Sequence, residues 1–403
     1  MECFYVKEGS ELYDLAVAGA GVAGSYVALR LASLGYKVAV LEEHEKIGEP
    51  VQCTGIIGAE CYERFPFFDG TVLKATNSAK LFSPSGKEIR LQRDSIQAYI
   101  IDRAAFDLRL AEKAREHGAQ YHLGSRVKKI VVIDDSIRME TEAQVNFEAK
   151  TAVIATGFGT RLPQILGLGR IDDIIMGAQV EVDIDGVHEI EVYLDQKLSP
   201  GFFAWLVPTT NHKALAGLFS RKNAARHLTD LLSTLFHQNK IASPEATPTY
   251  GGIPLKPLPR TYMGRVLVVG DAAGQVKPTT GGGVYYGLLC AETAAETLAQ
   301  ALSIDDFSEK LFSGYEKAWR KKLGKELRID HFARKVYERL TNRQIDIIFS
   351  IIESNGIHES LLKSPELSFD WHGDAILKGL KYLGPWHRLL TGRQDVQRIS
   401  QTG

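Results

Sequence analysis

Tyr13-Asp-Leu-Ala-Val-Ala-Gly19-Ala-Gly21-Val-Ala-Gly24 is the stretch whose reading decides the fold. Its first half is a short apolar run that ends in glycine, the pattern of a buried strand. Val22, Tyr26, Leu29 and Leu34 then recur at three-to-five-residue steps until Gly35, which predicts a helix. Lys37-Val-Ala-Val-Leu41 predicts a second buried strand, ending at Glu42, so the unit is βαβ. Within it Gly19, Gly21 and Gly24 match G-x-G-x-x-G: one glycine for the tight turn, one for close backbone approach to a pyrophosphate, one for helix–strand packing. Phosphates would sit on the free N–H groups of the helix start, beside Ala23. Alone, such glycines can be ordinary turn residues.

Glu42 gives the pattern weight. It lies about 20 residues on, where a carboxylate accepts both ribose hydroxyls and repels a 2′-phosphate, so the site suits FAD or NAD over NADP. Far downstream, Arg265-Val-Leu-Val-Val269 predicts another buried strand, followed by Gly270-Asp-Ala-Ala-Gly-Gln-Val-Lys-Pro-Thr-Thr-Gly-Gly-Gly283 and a long helix near 282–302. A simple NAD dehydrogenase has no need of this second glycine-rich loop. A helix start aimed at the electron-rich edge of a reduced flavin does need one.

With these motifs the chain resembles the geranylgeranyl reductase family, in the flavoprotein group typified by p-hydroxybenzoate hydroxylase. The resemblance rests on Gly19 to Gly24, Pro50-Val-Gln-Cys-Thr-Gly55, Ile101-Asp-Arg103, Ala155-Thr-Gly157 and Gly270 to Gly283, and covers roughly the first 300 residues. It implies FAD as cofactor, Arg103 at the flavin's phosphate or ribityl region, and Asp271 on the ribityl chain. Gly157, Gly270, Gly281, Gly282 and Gly283 complete the cofactor set it implies. The loops holding Cys53 and Gly281 to Gly283 point to the reductase branch. The family's substrate-sheet motif has its counterpart in Phe203-Ala-Trp205-Leu-Val-Pro208, which makes Phe203, Trp205 and Pro208 substrate-binding candidates. Here Val207 replaces the second aromatic, and Ala216-Gly217-Leu218 replaces a Gly-x-Gly.

Cys53 has two readings: a thiol near the flavin that positions or protonates substrate, or a small buried hydrophobe. Cys3, Cys53, Cys61 and Cys290 form no C-x-x-C pair, so a disulfide-reductase mechanism, a zinc site and a disulfide framework are all set aside. Metal ligation is not expected.

The expected fold class is α/β, α+β overall. A discontinuous Rossmann-type FAD-binding domain takes 1–65, 95–170 and 255–302, an antiparallel substrate sheet takes 66–94 and 171–254, and 303–403 is helical. Finer expectations are a helix over 102–117, strands over 126–133 and 137–148, and a separate buried strand over 151–155.

A net charge of −1 gives no basic field for nucleic acid. No signal-peptide pattern and no apolar stretch of spanning length occur, so a reducing, cytoplasmic setting is expected, with membrane contact at most peripheral. Trp371, Trp386, Leu389 and Leu390 among Lys378, Lys381 and Arg388 suit an interfacial helix, although such stripes more often simply pack onto the domain.

The resemblance implies an enzyme that saturates C=C bonds of an isoprenoid or lipid chain, by hydride from flavin N5. Such a chain binds by apolar burial, at about 25 cal/mol per Å², with few polar partners. Lys277 and Arg93 are candidate cations for a head group at the pocket mouth. With no second dinucleotide loop, electrons would come from a ferredoxin-like donor or a transiently docked NAD(P)H. Fold does not settle function. A flavin monooxygenase of an aromatic or polyketide substrate therefore stands as one alternative, and a non-redox flavoprotein such as an isoprenoid cyclase, or a lipid-binding relative, as another.

Overall fold

In the computed structural model, which describes residues 12–363 and 368–382, the strand Leu12–Ala18 lies inside an eight-stranded sheet. It pairs in parallel with Val38–Leu41 on one side and Asn146–Ile154 on the other. Gln120–His122 extends the first side, Val266–Val268 and then Tyr262–Met263 the second.

Period-two alternation sorts the strand residues into two cores, as a sheet buried on both faces requires. Leu15, Val17, Val38, Val40, Val153 and Leu267 face the helices Val22–Ala32, Arg103–Glu116 and Val284–Ile304. Ala16, Ala18, Ala39, Leu41, Ala152 and Ile154 face the hairpin of Val127–Ile133 and Ser136–Thr141.

The segment expected as one strand over 137–148 is broken. Gln144 adopts φ 62° and the amide of Thr141 donates to Val145 O at 3.0 Å, so the chain turns and restarts at Asn146. The expected separate strand over 151–155 is the far end of Asn146–Ile154. That strand is antiparallel to the hairpin in its first half and parallel to the central strand in its second.

A seven-stranded sheet holds, in spatial order, Thr249–Pro254, Ile174–Asp183, Lys213–Ser220, Ala204–Pro208, Ile190–Tyr193, Ser78–Phe82 and Glu88–Gln92. Val72–Thr76, by contrast, pairs with Ala98–Ile101 in a three-stranded sheet completed by Ile56–Gly58. On one face of the larger sheet the helix Ala224–His237 buries Leu228, Leu231, Leu232 and Leu235 against Ala204, Leu206, Ala216 and Leu218. On the other face Trp205, Val207, Phe219 and Ile175 form a further apolar cluster.

Beyond 303 the described residues form the helices Glu309–Tyr337, Asn342–Ser354, Ile357–Leu362 and Gly373–Tyr382. The first spans both sheets. Near its start Tyr315 donates to Val268 O at 2.8 Å and Trp319 to Thr261 Oγ1 at 2.9 Å. At its end Tyr337 donates to Phe202 O at 2.9 Å, and Arg334 donates to Gly201 O. Trp371 is no surface anchor: its Nε1 donates to Glu60 at 2.7 Å and its ring packs against Tyr285 and Tyr286. Trp386, Arg388, Leu389 and Leu390 lie outside the described residues, as does Cys3.

Candidate active site

A continuous cavity of about 1210 Å³ runs from the C-terminal ends of the parallel strands to the face of the seven-stranded sheet. Ordinary ligand clefts measure roughly 300–1,000 Å³, so this one has room for more than one small molecule.

The first end is the glycine loop. Gly19 adopts φ 103°, and a Cβ there would stand 2.4 Å from Ala155 O. At Gly24 a Cβ would stand 2.0 Å from Gly19 O, so only glycine lets the helix close onto the strand. Gly21 and Ala23 line the cavity, while Gly24 is buried behind it. Glu42 also lines it. Its Oε2 accepts from Ala20 N at 2.8 Å, and its Oε1 accepts from His44 N at 3.1 Å and pairs with His44 Nδ1 at 2.6 Å. The carboxylate therefore fixes the loop in addition to any role toward a ribose. Glu42→Ala is expected to lower affinity for a flavin dinucleotide by about 10–100-fold, the worth of one or two charge-assisted hydrogen bonds. Titration of flavin-stripped protein, followed by fluorescence quenching, measures this.

At the middle the structure gathers Cys53, Arg103, Thr156, Gly157, Gly270, Asp271 and Gly281 to Gly283. Asp102 caps the helix Arg103–Glu116 by accepting from Ala105 N at 3.0 Å, which delivers Arg103 to the cavity wall. Both Asp107 oxygens accept from Arg103 at 3.0 Å. Burial disfavours the guanidinium charge, but Asp107 and then Cys53 outweigh it and hold Arg103 well above its ordinary value. Sequence reasoning missed Asp107, although its position four residues after Arg103 is the spacing of a helical ion pair. Cys53 Sγ accepts from Gly55 N at 3.4 Å.

Two buried polar groups here have no hydrogen-bond partner, the Arg103 Nε and the Thr156 hydroxyl, and the Asp271 carboxyl lines the same wall. Burial pushes Asp271 up to about 6, with Arg103 pulling the other way. The helix Val284–Ile304 starts at Gly283 with no side-chain cap. A donor, a hydroxyl, an acceptor and an open helix start are what a ligand with phosphates and polyol hydroxyls would satisfy. These residues fit a flavin dinucleotide.

The far end is apolar. Phe203, Trp205 and Val207 line it on one face of their strand, with Phe219, Val192 and Leu81. Trp205 lies 4.7 Å from the Phe219 ring centroid and packs on Gly217, and its indole N–H has no partner. Pro208 does not line the cavity. It shares the face of Ala204 and Leu206, because residues two apart point alike and neighbours point apart.

Lys277 and Arg93 are not free cations at a mouth. Lys277 is 4% exposed, donates to Phe369 O at 2.9 Å and lies 3.6 Å from Asp370. Arg93 donates to Leu362 O at 2.9 Å and to Gln97 at 3.3 Å. The polar cluster around Lys277, which also includes Thr279, Asp330 and His372, was not foreseen. Among the described residues no group of side chains could hold a metal ion.

The family model for lycopene cyclase protein matches residues 14–352. A digeranylgeranylglycerophospholipid reductase of Methanothermobacter thermautotrophicus is 30% identical over 363 residues, covering 86% of this chain and 93% of that protein. A geranylgeranyl bacteriochlorophyll reductase-like protein of Thermoplasma acidophilum superposes with a TM-score of 0.82 at 21% identity, over 98% of this chain and 100% of its own. A flavin-dependent brominase superposes with a TM-score of 0.65 at 15% identity, over 98% of this chain and 100% of its own. The two solved structures bear on the fold.

Proposed function

The chain belongs to the family described as lycopene cyclase protein and, by its likeness to digeranylgeranylglycerophospholipid reductases, to the geranylgeranyl reductase family, and on that ground we propose that it is an FAD-dependent oxidoreductase that saturates C=C bonds of isoprenoid chains in lipid biosynthesis. The observation that carries this reading is the continuity of the cavity. The Arg103 Nε and the Thr156 hydroxyl, which lack partners, and Asp271 beside them give way, without a break, to a slot lined by Trp205, Phe203 and Phe219.

In this reading Gly19 to Gly24 and Glu42 would hold the adenosine diphosphate half of the cofactor, Arg103 and Asp271 its ribityl region, and the start of the helix Val284–Ile304 would lie toward its ring. Bound there and reduced, a flavin would supply the hydride that one alkene carbon takes up. The chain's own residues do the rest. Trp205 and Phe219 hold the alkene by apolar contact, and the dry slot keeps water from the reacting carbons. Cys53, beside Arg103 on the cavity wall, positions the substrate at the junction. Electrons enter from NAD(P)H or a ferredoxin-like protein. No described helix is long and apolar enough to cross a membrane.

The test is anaerobic. Protein carrying flavin reduced by dithionite is mixed with geranylgeranyl diphosphate or an unsaturated isoprenoid ether lipid. The expected result is flavin reoxidation with two hydrogens gained per bond. A flavin that stays reduced with isoprenoids but reacts with oxygen and an aromatic compound would make the enzyme a monooxygenase. Isoprenoid that isomerises or cyclises while the flavin stays reduced would make it a non-redox flavoprotein, as the family's name allows.

A further inference from the structure

Alkene reduction needs a proton as well as a hydride, and Phe203, Trp205, Val207, Phe219, Val192 and Leu81 at the far end of the slot include no acid. Beside the Gly281–Gly283 loop, however, a line of hydrogen bonds leads from the cavity wall into the protein. His372 lines the cavity. Its Nε2 lies 2.9 Å from Phe369 O and its Nδ1 2.8 Å from the Thr279 hydroxyl. The same hydroxyl lies 3.2 Å from Asp330 Oδ2, and Asp330 is wholly buried on the helix Glu309–Tyr337.

The protons in this line can be assigned from what each atom is able to do. A carbonyl oxygen only accepts, so Nε2 of His372 carries hydrogen. Burial and the Lys277 charge hold the imidazole down to about 3, so the ring is neutral and Nδ1 must accept. Thr279 therefore gives its one hydrogen to Nδ1, and its oxygen can only accept from Asp330. Asp330 must then be a protonated carboxylic acid. Its other oxygen, Oδ1, is buried with no partner, which an ionised carboxylate would tolerate badly. Burial first and then the neighbouring Glu326 push Asp330 up to about 7, against the opposing pull of the Thr279 hydroxyl and the Lys277 charge.

We propose, building on the reductase reading above, that Asp330 is the proton store of the reaction and that Thr279 and His372 carry its proton to the cavity. The step balances as follows. Asp330 Oδ2 gives its proton to Thr279 Oγ1, Thr279 gives its own to His372 Nδ1, and the Nε2 hydrogen leaves Phe369 O for the alkene carbon that did not take the hydride. Asp330 is left as a carboxylate and His372 as the other neutral tautomer. One proton has moved, and solvent restores it before the next turnover. The groups facing Asp330 set its readiness. Glu326, one turn earlier on the same helix, disfavours ionisation, while Lys277 from the glycine loop favours it. Tyr286 packs from the helix Val284–Ile304, and its hydroxyl has no hydrogen-bond partner. Arg334, one turn later, is turned away to Gly201 O.

The experiment uses the flavin-loaded protein with geranylgeranyl diphosphate and two variants. Infrared difference spectra of wild type against Asp330→Asn at neutral pH are expected to show one carboxylic-acid C=O band that the variant lacks. Asp330→Asn and Thr279→Val are each expected to slow reoxidation of the reduced flavin by substrate about 100-fold, the usual worth of a positioned acid. Thr279→Val keeps the acid band. The wild-type rate falls as pH rises through about 7, where Asp330 loses its proton, and this dependence vanishes in Asp330→Asn. An absent acid band, or a Thr279→Val protein as fast as wild type, would overturn the proposal. Wild type that shows the acid band but reduces no isoprenoid would instead defeat the functional reading, and the relay's role with it, so the two failures are distinguishable.

Discussion

The Gly24→Val protein is expected to purify without flavin, its affinity for FAD lowered at least about 100-fold. The added side chain begins 2.0 Å from Gly19 O and 3.2 Å from Ala155 Cβ, and neither neighbour can yield. Gly19 O belongs to the tight turn itself, and Ala155 follows the strand Asn146–Ile154 that pairs with the central one. The helix Val22–Ala32 must therefore retreat, although most of its residues are buried against the sheet and neighbouring helices. Overpacking of this kind costs about 1–3 kcal/mol, and it also draws the helix N-terminus away from the phosphates it would bind. Some 2.7 kcal/mol corresponds to about 100-fold in affinity. Absorbance of the purified protein and a flavin titration read the effect, and circular dichroism checks the fold. Full flavin content would mean that the phosphates lie elsewhere.

Arg103→Leu is expected to destabilise the protein by about 3–5 kcal/mol, the cost of leaving one member of a buried ion pair alone. Asp107 is 7% exposed and sits between Phe106 and the apolar residues of its own helix. Burial already raises its carboxyl above the ordinary value, with Arg103 opposing. Without the guanidinium it rises further. A carboxyl raised in the folded state contributes stability at low pH that is lost as pH climbs through the folded value. The destabilisation should thus be smaller near about pH 5 than near about pH 8. The double variant Arg103→Leu with Asp107→Leu removes both charges and should recover most of the stability, since apolar pairs commonly replace buried ion pairs without loss. Flavin affinity should stay low in the double variant, because the Nε that lacks a protein partner has gone. Urea denaturation and flavin titration of the same samples separate the two effects. Recovery of flavin binding in the double variant would show that Arg103 supports the fold and does not touch the cofactor.

The parts of the site legible in the sequence are those whose chemistry is local. A glycine loop between strand and helix, a carboxylate at the next strand end and an arginine at a capped helix start all announce themselves within a few residues. Alternation was also sufficient to place Phe203 and Trp205 on one face, and applied one step further it would have removed Pro208 from the set. The break at 142–145 escaped notice because Gln144 is an unusual residue for a left-handed turn. The cluster of Lys277, Thr279, Asp330 and His372 could not be read at all. Its members lie on three separate segments, and nothing near Asp330 in sequence marks it as different from any acid on a charged helix. Only packing strips it of water.

The helix Glu309–Tyr337 is about 43 Å long at 1.5 Å per residue. It is bolted at one end to Val268 and Thr261 and at the other to Gly201, Phe202 and, through Glu338 just beyond its last turn, to Arg221. A strut so anchored carries compressive and bending load between the two sheets. Rocking one sheet against the other would tear several buried hydrogen bonds at once. The enzyme is therefore stiff along the axis where many two-domain proteins hinge. A reductase built this way would have to move its isoprenoid substrate, and not its sheets, to present one double bond after another to the same walls.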